Sequence, residues 1–270
     1  MKAVTTNRII GVVKRCALRL RKDQPDNPDS RYTIWKQLED LTDGCSDVAS
    51  RVLRDENVRK LLPFFRRGYA NMLFDLEKEW AHKVIKQARP DLRSYPKYTQ
   101  YELRVDLEMH LLRVLSGKEI ENVILCGCGP FPVSAAILKG RYGATVDLLD
   151  KSRTALELAD ELLQCVSLRA GTAMHCVDVC SFDHLHNYDA VFLAGTVGLG
   201  GREKTRIARH IYARLKPGAF LVLREPVNLD KLLVAEVNAS AIAVNNVVWV
   251  QLTGAEDCLR RAFLRKPSQA

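Results

Sequence analysis

The sequence has no long run of purely apolar residues. Its longest uncharged stretches, residues 123–138 and 237–255, contain Gly, Pro, Asn, Ser or Gln, whereas a membrane-spanning helix needs roughly 20 predominantly apolar residues. No transmembrane helix is expected. A clean apolar segment is also missing near the N-terminus, where Arg8, Lys14 and Arg15 interrupt what would otherwise be the core of a signal peptide, so a cytoplasmic protein is expected. The eight cysteines, at positions 16, 45, 126, 128, 165, 176, 180 and 258, include no C-x-x-C pair. This argues against a disulfide framework and for reduced thiols buried as small hydrophobes. Internal repeats and low-complexity segments are absent as well.

What is present is globular in composition, with 47% hydrophobic and 27% charged residues over 270 positions. That is enough apolar surface for a core, and a length that suggests two domains. The formal charge of +9 suits either a nucleic-acid surface or a basic protein that handles carboxylates. Around its densest part, residues 14–22, Ile9, Val13, Cys16 and Leu20 recur at helical spacing, so one face packs and the other is solvated. No aromatic cluster lies among the dispersed basic residues to stack bases. An RNA-binding methyltransferase is thus the second reading, and no nucleic-acid partner is expected.

Residues 35–115 repeat apolar positions every three or four residues, which predicts helices. Leu38, Leu41, Val48, Val52 and Leu53 fit one broken helix or a pair. Residues 58–85 fit further helices interrupted at Pro63, Arg89-Pro90 and Tyr95-Pro96 break the pattern, and residues 98–115 form another helix closed by Ser116-Gly117. Strands and helices then alternate as in a parallel sheet with crossover helices. Strands are predicted at 122–126, 146–149, 173–177, 190–193 and 219–223, with helices over 134–140, 154–165 and 204–215. A β-branched run at 246–252 should pair at a sheet edge.

The first strand runs into Cys126-Gly127-Cys128-Gly129-Pro130, where glycines let backbone approach a ligand at the place open α/β sheets bind nucleotides. The third glycine of the dinucleotide fingerprint is missing, because Pro130-Phe131-Pro132 fills its place, and this weakens an NAD reading. Asp150 ends the second strand about 20 residues beyond the loop, where an acid accepts hydrogen bonds from ribose hydroxyls. Asp178, after the third strand, is placed either to approach an adenine amino group or to cap a turn. His175, Cys176 and Cys180, with His184 and His186, match no zinc spacing; Cys176 is expected to be buried in a strand covered on both faces. In the helical half, Asp75, Glu77, Glu79 and His82 are candidate acid-base groups, and Tyr95, Tyr98 and Tyr101 cluster at a helix start. Composition and spacing reach a nucleotide-binding α/β domain with a helical partner.

These residues resemble the nicotianamine synthases. The family loop G-x-G-P-[LF]-P is similar to Gly127-Cys128-Gly129-Pro130-Phe131-Pro132. Its Y-x-x-Y-x5-L-E segment is similar to Tyr98, Tyr101, Leu107 and Glu108, and its Y-x-N-x4-L-E segment to Tyr69, Asn71, Leu76 and Glu77. The resemblance implies an α/β fold: a helical N-terminal domain over residues 1–117 and a Rossmann-type domain binding S-adenosylmethionine (SAM) over 118–270. It implies transfer of the 3-amino-3-carboxypropyl group of SAM to an amine, with release of methylthioadenosine and no metal cofactor. Carried onto this sequence, Glu77 becomes the base or amine-binding carboxylate, with Glu79 as fallback. Tyr101, supported by Tyr98, would bond the acceptor, and Arg224 would pair with a substrate carboxylate. Gly127, Cys128, Gly129, Pro130, Asp150 and Asp178 would hold SAM. After Arg224 the chain departs from the plant pattern, with Glu225-Pro226-Val227-Asn228-Leu229-Asp230. The acceptor is left open between SAM-derived units condensed into nicotianamine and, as in staphylopine-type enzymes, a histidine.

Overall fold

In a computed structural model, which describes residues 6–22, 28–41, 46–243, 246–253 and 258–268, five helices precede an α/β sheet. They are α1 (Thr6–Lys22), α2 (Pro28–Glu39), α3 (Ser46–Arg54), α4 (Glu56–Ile85) and α5 (Tyr98–Ser116). The amphipathic reading of α1 holds: Ile9, Val13, Cys16 and Leu20 are buried in one cluster with Trp35, Val52 and Phe65. Leu38 and Val52 belong to a pair of helices, α2 and α3. Asp55 starts α4 by accepting a hydrogen bond from the Val58 amide at 3.0 Å, and Gly117, at φ 72°, ends α5 in the left-handed conformation that a side chain resists.

Pro63 does not interrupt α4, contrary to expectation; the helix runs through it for 30 residues. Proline deprives the Arg59 carbonyl of its partner, but both Pro63 and Arg59 are exposed, so water can take the place of the lost donor.

The sheet contains β1 (Asn122–Cys126), β2 (Thr145–Asp150), β3 (Met174–Cys176), β4 (Ala190–Leu193), β5 (Phe220–Glu225), β6 (Val247–Thr253) and β7 (Cys258–Arg265), in the order β3-β2-β1-β4-β5-β7-β6. The first five strands are parallel, and the β6/β7 hairpin adds antiparallel to β5 through β7. Helices α6 (Val133–Tyr142), α7 (Arg153–Cys165) and α8 (Gly201–Arg214) complete the crossovers. Alternate strand residues face opposite sides. Val123, Leu125, Phe192, Val222 and Phe263 pack with residues of α4, α5, α6 and α7, while Ile124, Val191, Leu221 and Ala262 pack with α8. Strand β6 lies at the sheet edge, as the β-branched run suggested. Strand β7 was not expected, because Arg260, Arg261 and Arg265 break up its apolar residues.

Cys176 is exposed rather than buried, for β3 is itself an edge strand. Cys16 and Cys126 are buried; Cys45 lies outside the described residues, as does the side chain of Cys258. Phe263 has no exposed surface and joins β7 to the core. Phe263→Ala should cost about 3–5 kcal/mol of folding free energy, read as a lower urea midpoint with an unchanged slope.

Candidate active site

The strand order reverses direction between β1 and β4, and the segment that leaves β1 crosses this switch point, where doubly wound sheets hold ligands. The Gly127 and Cys128 amides donate to the Leu149 carbonyl at 2.8 and 3.3 Å. Gly129 donates to Asp150 Oδ2 at 3.1 Å, and the other carboxylate oxygen accepts from the Ser152 amide at 2.9 Å. Asp150 thus braces the glycine loop, 21 residues earlier in the chain, against the start of α7. Gly127 and Gly129 have φ of 81° and 66°, so both need glycine for conformation alone. Both are also crowded: a Cβ on Gly127 would collide with Val197, and one on Gly129 would lie 2.5 Å from Glu77 Oε2.

That last contact brings the helical half to the loop. Of the four candidates on α4, Asp75, Glu79 and His82 are exposed, whereas Glu77 is partly buried and directs its carboxylate at Gly129. Burial first, and the nearby Asp150 charge second, raise the Glu77 carboxyl to about 8, with Lys97 opposing them. Water still reaches the residue although protein surrounds it, as befits a group lining a cleft. Tyr101 on α5 lies close enough to feel both Glu77 and Arg224; burial, then Glu77, push its hydroxyl up to about 12, so it is a protonated donor at neutral pH. Tyr98 packs at the edge of the same core. Tyr95, itself buried, meets Trp80 of α4 at 5.5 Å, Tyr101 at 6.3 Å and Phe131 of the loop at 4.9 Å between ring centroids. The tyrosine cluster therefore clamps the loop to α4 and α5. The Cys128 thiol is held well above its usual range by burial and by the carboxylates of Asp150 and Glu77.

Arg224 has partners other than the one expected, and Asp178 takes the turn-capping alternative of its two readings. Arg224 does not offer a free fork for a substrate carboxylate: its Nε and Nη2 donate to Glu108 at 2.9 and 2.8 Å and its Nη1 to Ser134 at 3.1 Å. Asp178 is exposed and accepts from the Cys180 amide at 2.8 Å, capping the 3-10 turn Val179–Ser181. His175 lies against Phe182, ring centroids 4.7 Å apart, with its Nε2 3.7 Å from Asp147.

Sequence reasoning assigned no role to the residue that organises this floor. Glu108 on α5 has no exposed surface and accepts from Arg224 and, at 2.6 Å, from Arg261 of β7. Burial alone would raise its carboxyl, but the two guanidiniums outweigh burial and hold it below the usual range. Its place in the Tyr98–Tyr101–Leu107 motif was the available signal.

The opposite wall is the segment following β4. Lys204, buried on α8, donates to the carbonyls of Gly195 at 2.7 Å and Ala235 at 2.8 Å, and burial lowers its ammonium to about 8. From α4, Arg66 donates to the Lys231 carbonyl at 2.8 Å and to that of Leu199 at 3.4 Å.

The site is thus a glycine loop at the switch point of an α/β sheet, braced by an acid ending β2 and faced by a partly buried carboxylate and a tyrosine. A family model described as "Nicotianamine synthase protein" matches residues 20–257, and the chain belongs to that family. It is 35% identical over 138 residues to nicotianamine synthase 9 of Hordeum vulgare, covering 49% of this chain and 41% of the relative. It is 33% identical over 162 residues to nicotianamine synthase 2 of Oryza sativa subsp. japonica, covering 58% and 47%. The matches thus span less than half the length of these plant relatives. The fold is shared with a mutant of MtNAS in complex with S-adenosylmethionine, at 20% identity and a TM-score of 0.78 over 96% of this chain and 98% of that one. MtNAS in complex with MTA and tNA agrees equally, at 19% identity and a TM-score of 0.78 over 97% and 98%.

Glu108→Ala should cost about 3–5 kcal/mol, since it leaves two buried guanidiniums unpaired. Because the folded-state carboxyl is held below its ordinary 4.5, its stabilisation is complete at neutral pH and is lost as pH falls from about 4.5 through the lower folded value. The gap in unfolding free energy between the wild type and Glu108→Gln should therefore be constant above about pH 5 and narrow in acid, measured by urea titration across pH.

Proposed function

We propose that this protein is a SAM-dependent 3-amino-3-carboxypropyl transferase that makes nicotianamine or a nicotianamine-like metallophore and releases methylthioadenosine. The observation that carries this reading is the Glu77 carboxylate set against Gly129, beside Asp150 and Tyr101. It puts a proton acceptor at the loop where a nucleoside would lie. SAM is taken as the substrate, with its ribose toward Asp150 and its adenosine along the Gly127–Pro130 loop; Asp178 flanks the adenine. The cytoplasm is the proposed location, residues 1–117 the helical domain and 118–270 the SAM-binding domain.

In the transfer, the acceptor nitrogen forms a bond to the aminocarboxypropyl carbon as the carbon–sulfur bond breaks, and the electron pair returns to sulfur to give the neutral thioether. The acceptor must be an unprotonated amine, so its ammonium form first loses a proton to Glu77. A carboxyl raised to about 8 has a basicity suited to that task at neutral pH. At neutral pH much of this carboxyl carries a proton, and the sulfonium charge of the bound substrate would shift it toward the anionic form that accepts one. Tyr101 donates a hydrogen bond to the acceptor, with Tyr98 supporting the wall. Arg224, held by Glu108, contributes a fixed positive charge under Tyr101 in place of a direct grip on the substrate.

Incubation with SAM alone tests the reading. Methylthioadenosine with nicotianamine supports it, methylthioadenosine formed only after histidine is added moves the acceptor to histidine, and S-adenosylhomocysteine overturns it. Glu77→Gln should lower turnover about a hundredfold or more while SAM affinity, read by calorimetry, stays near wild type. Asp150→Ala should show the reverse weighting, with weaker SAM binding as the first effect. In the wild type, kcat/KM should fall as pH drops below about 8, since protonated Glu77 accepts no proton.

A further inference from the structure

Arg224 and Glu225 are neighbours on β5 and so face opposite sides of the sheet. Glu225 points away from the cleft described above and lines a separate cavity of about 680 Å³ between α8 and the β5-β7-β6 end of the sheet. Three features of its lining remain chemically unanswered. Arg202, Arg206 and Arg209 follow one another at four and three residues on α8, so they share a face, and all three are exposed. Among the described residues Arg202 and Arg209 have no ion pair or hydrogen bond, and Arg206 reaches only the Cys180 sulfur at 3.8 Å. Across from them Trp249 of β6, 38% exposed, carries the Arg260 guanidinium 4.2 Å from its ring centroid. Glu225 itself is 7% exposed; its Oε2 accepts from the Val237 amide at 3.0 Å, but its Oε1 is buried with no partner.

A row of guanidiniums calls for an anion with several oxygens. An indole backed by a guanidinium offers a platform for a flat ring. An unpartnered buried acceptor calls for an N–H donor, since leaving it unpaired is costly. A simple polycarboxylate satisfies the first demand but not the second, and an apolar ring satisfies the second but not the first. We propose that this cavity binds a nucleoside phosphate, with the base on the Trp249–Arg260 platform, its amino group toward Glu225, and its phosphates across Arg202, Arg206 and Arg209. The volume suits one nucleotide rather than a strand. The scarcity of aromatics among the basic residues, evident in the sequence, is reversed by the fold, which brings Trp249 and Arg260 to the α8 arginines. The site stands on the other face from Glu77, so the inference does not depend on the transferase reading.

The test is calorimetric titration of the full chain with ADP, adenosine and inorganic pyrophosphate. ADP should bind more tightly than either fragment, and saturating SAM should leave that binding in place. Trp249→Ala and the double substitution Arg202→Ala/Arg206→Ala should each weaken ADP binding at least tenfold while SAM affinity and the melting temperature stay near wild type; the side chains are partly or fully exposed, so the fold should tolerate their loss. The proposal is overturned if ADP does not bind, if SAM displaces it, if the variants bind as the wild type does, or if pyrophosphate binds as tightly as ADP. It is also overturned if a single-stranded oligonucleotide binds where ADP does not.

Discussion

A carboxylate with no exposed surface cannot remain ionised unless cations touch it, and Glu108 is held in that state by Arg224 and Arg261 at once. The three residues come from α5, β5 and β7, so one electrostatic requirement fixes the last helix of the N-terminal half to the sheet's parallel body and to its antiparallel end. Arg224 could not exchange places with a lysine on equal terms, because it uses its fork to span both oxygens of Glu108 and still reach Ser134. Tyr101 lies close enough to Arg224 to feel its charge, so this tie also reaches the cleft where Tyr95 meets Phe131 and Glu77 lies against Gly129.

The same strand serves both faces of the sheet. Register pairs Arg224 with Arg261 and Glu225 with Arg260, so successive rungs alternate between a charge network under the proposed reaction cleft and a basic cavity behind it. On the first face the charges neutralise one another inside the protein. On the second they outnumber their internal partners, and that imbalance distinguishes a surface built for an external anion from one built for cohesion.

Much of this was legible beforehand because it depends on local pattern. Strands β1 and β4 fall on the residues that their apolar runs marked, and the pairing of the glycine loop with Asp150 follows from spacing along a β-α-β unit. The rest depends on contacts distant in the chain. Nothing in the periodicity of α4 ranks Glu77 above Asp75 or Glu79; burial against Gly129 does. Strand β7 is hidden by its arginines, which read as surface charge until Glu108, far away in sequence, makes burial of Arg261 affordable. Pro63 reads as a break because the rule concerns a carbonyl without a donor, and only the folded position of Arg59 reveals that water can supply one. Arg224 was expected to pair with a substrate carboxylate, but its partners, Glu108 and Ser134, belong to the protein.

Glu108 and Arg261 are separated by 153 residues, and β7 is synthesised after β6 yet lies inside it, next to β5. As the chain leaves a ribosome, α5 appears long before either cation that will neutralise its carboxylate. Through that interval Glu108 must stay hydrated, holding α5 off the sheet, or be buried with a proton. The hairpin has to form and dock by its later strand before both cations of the floor beneath Tyr101 are in place.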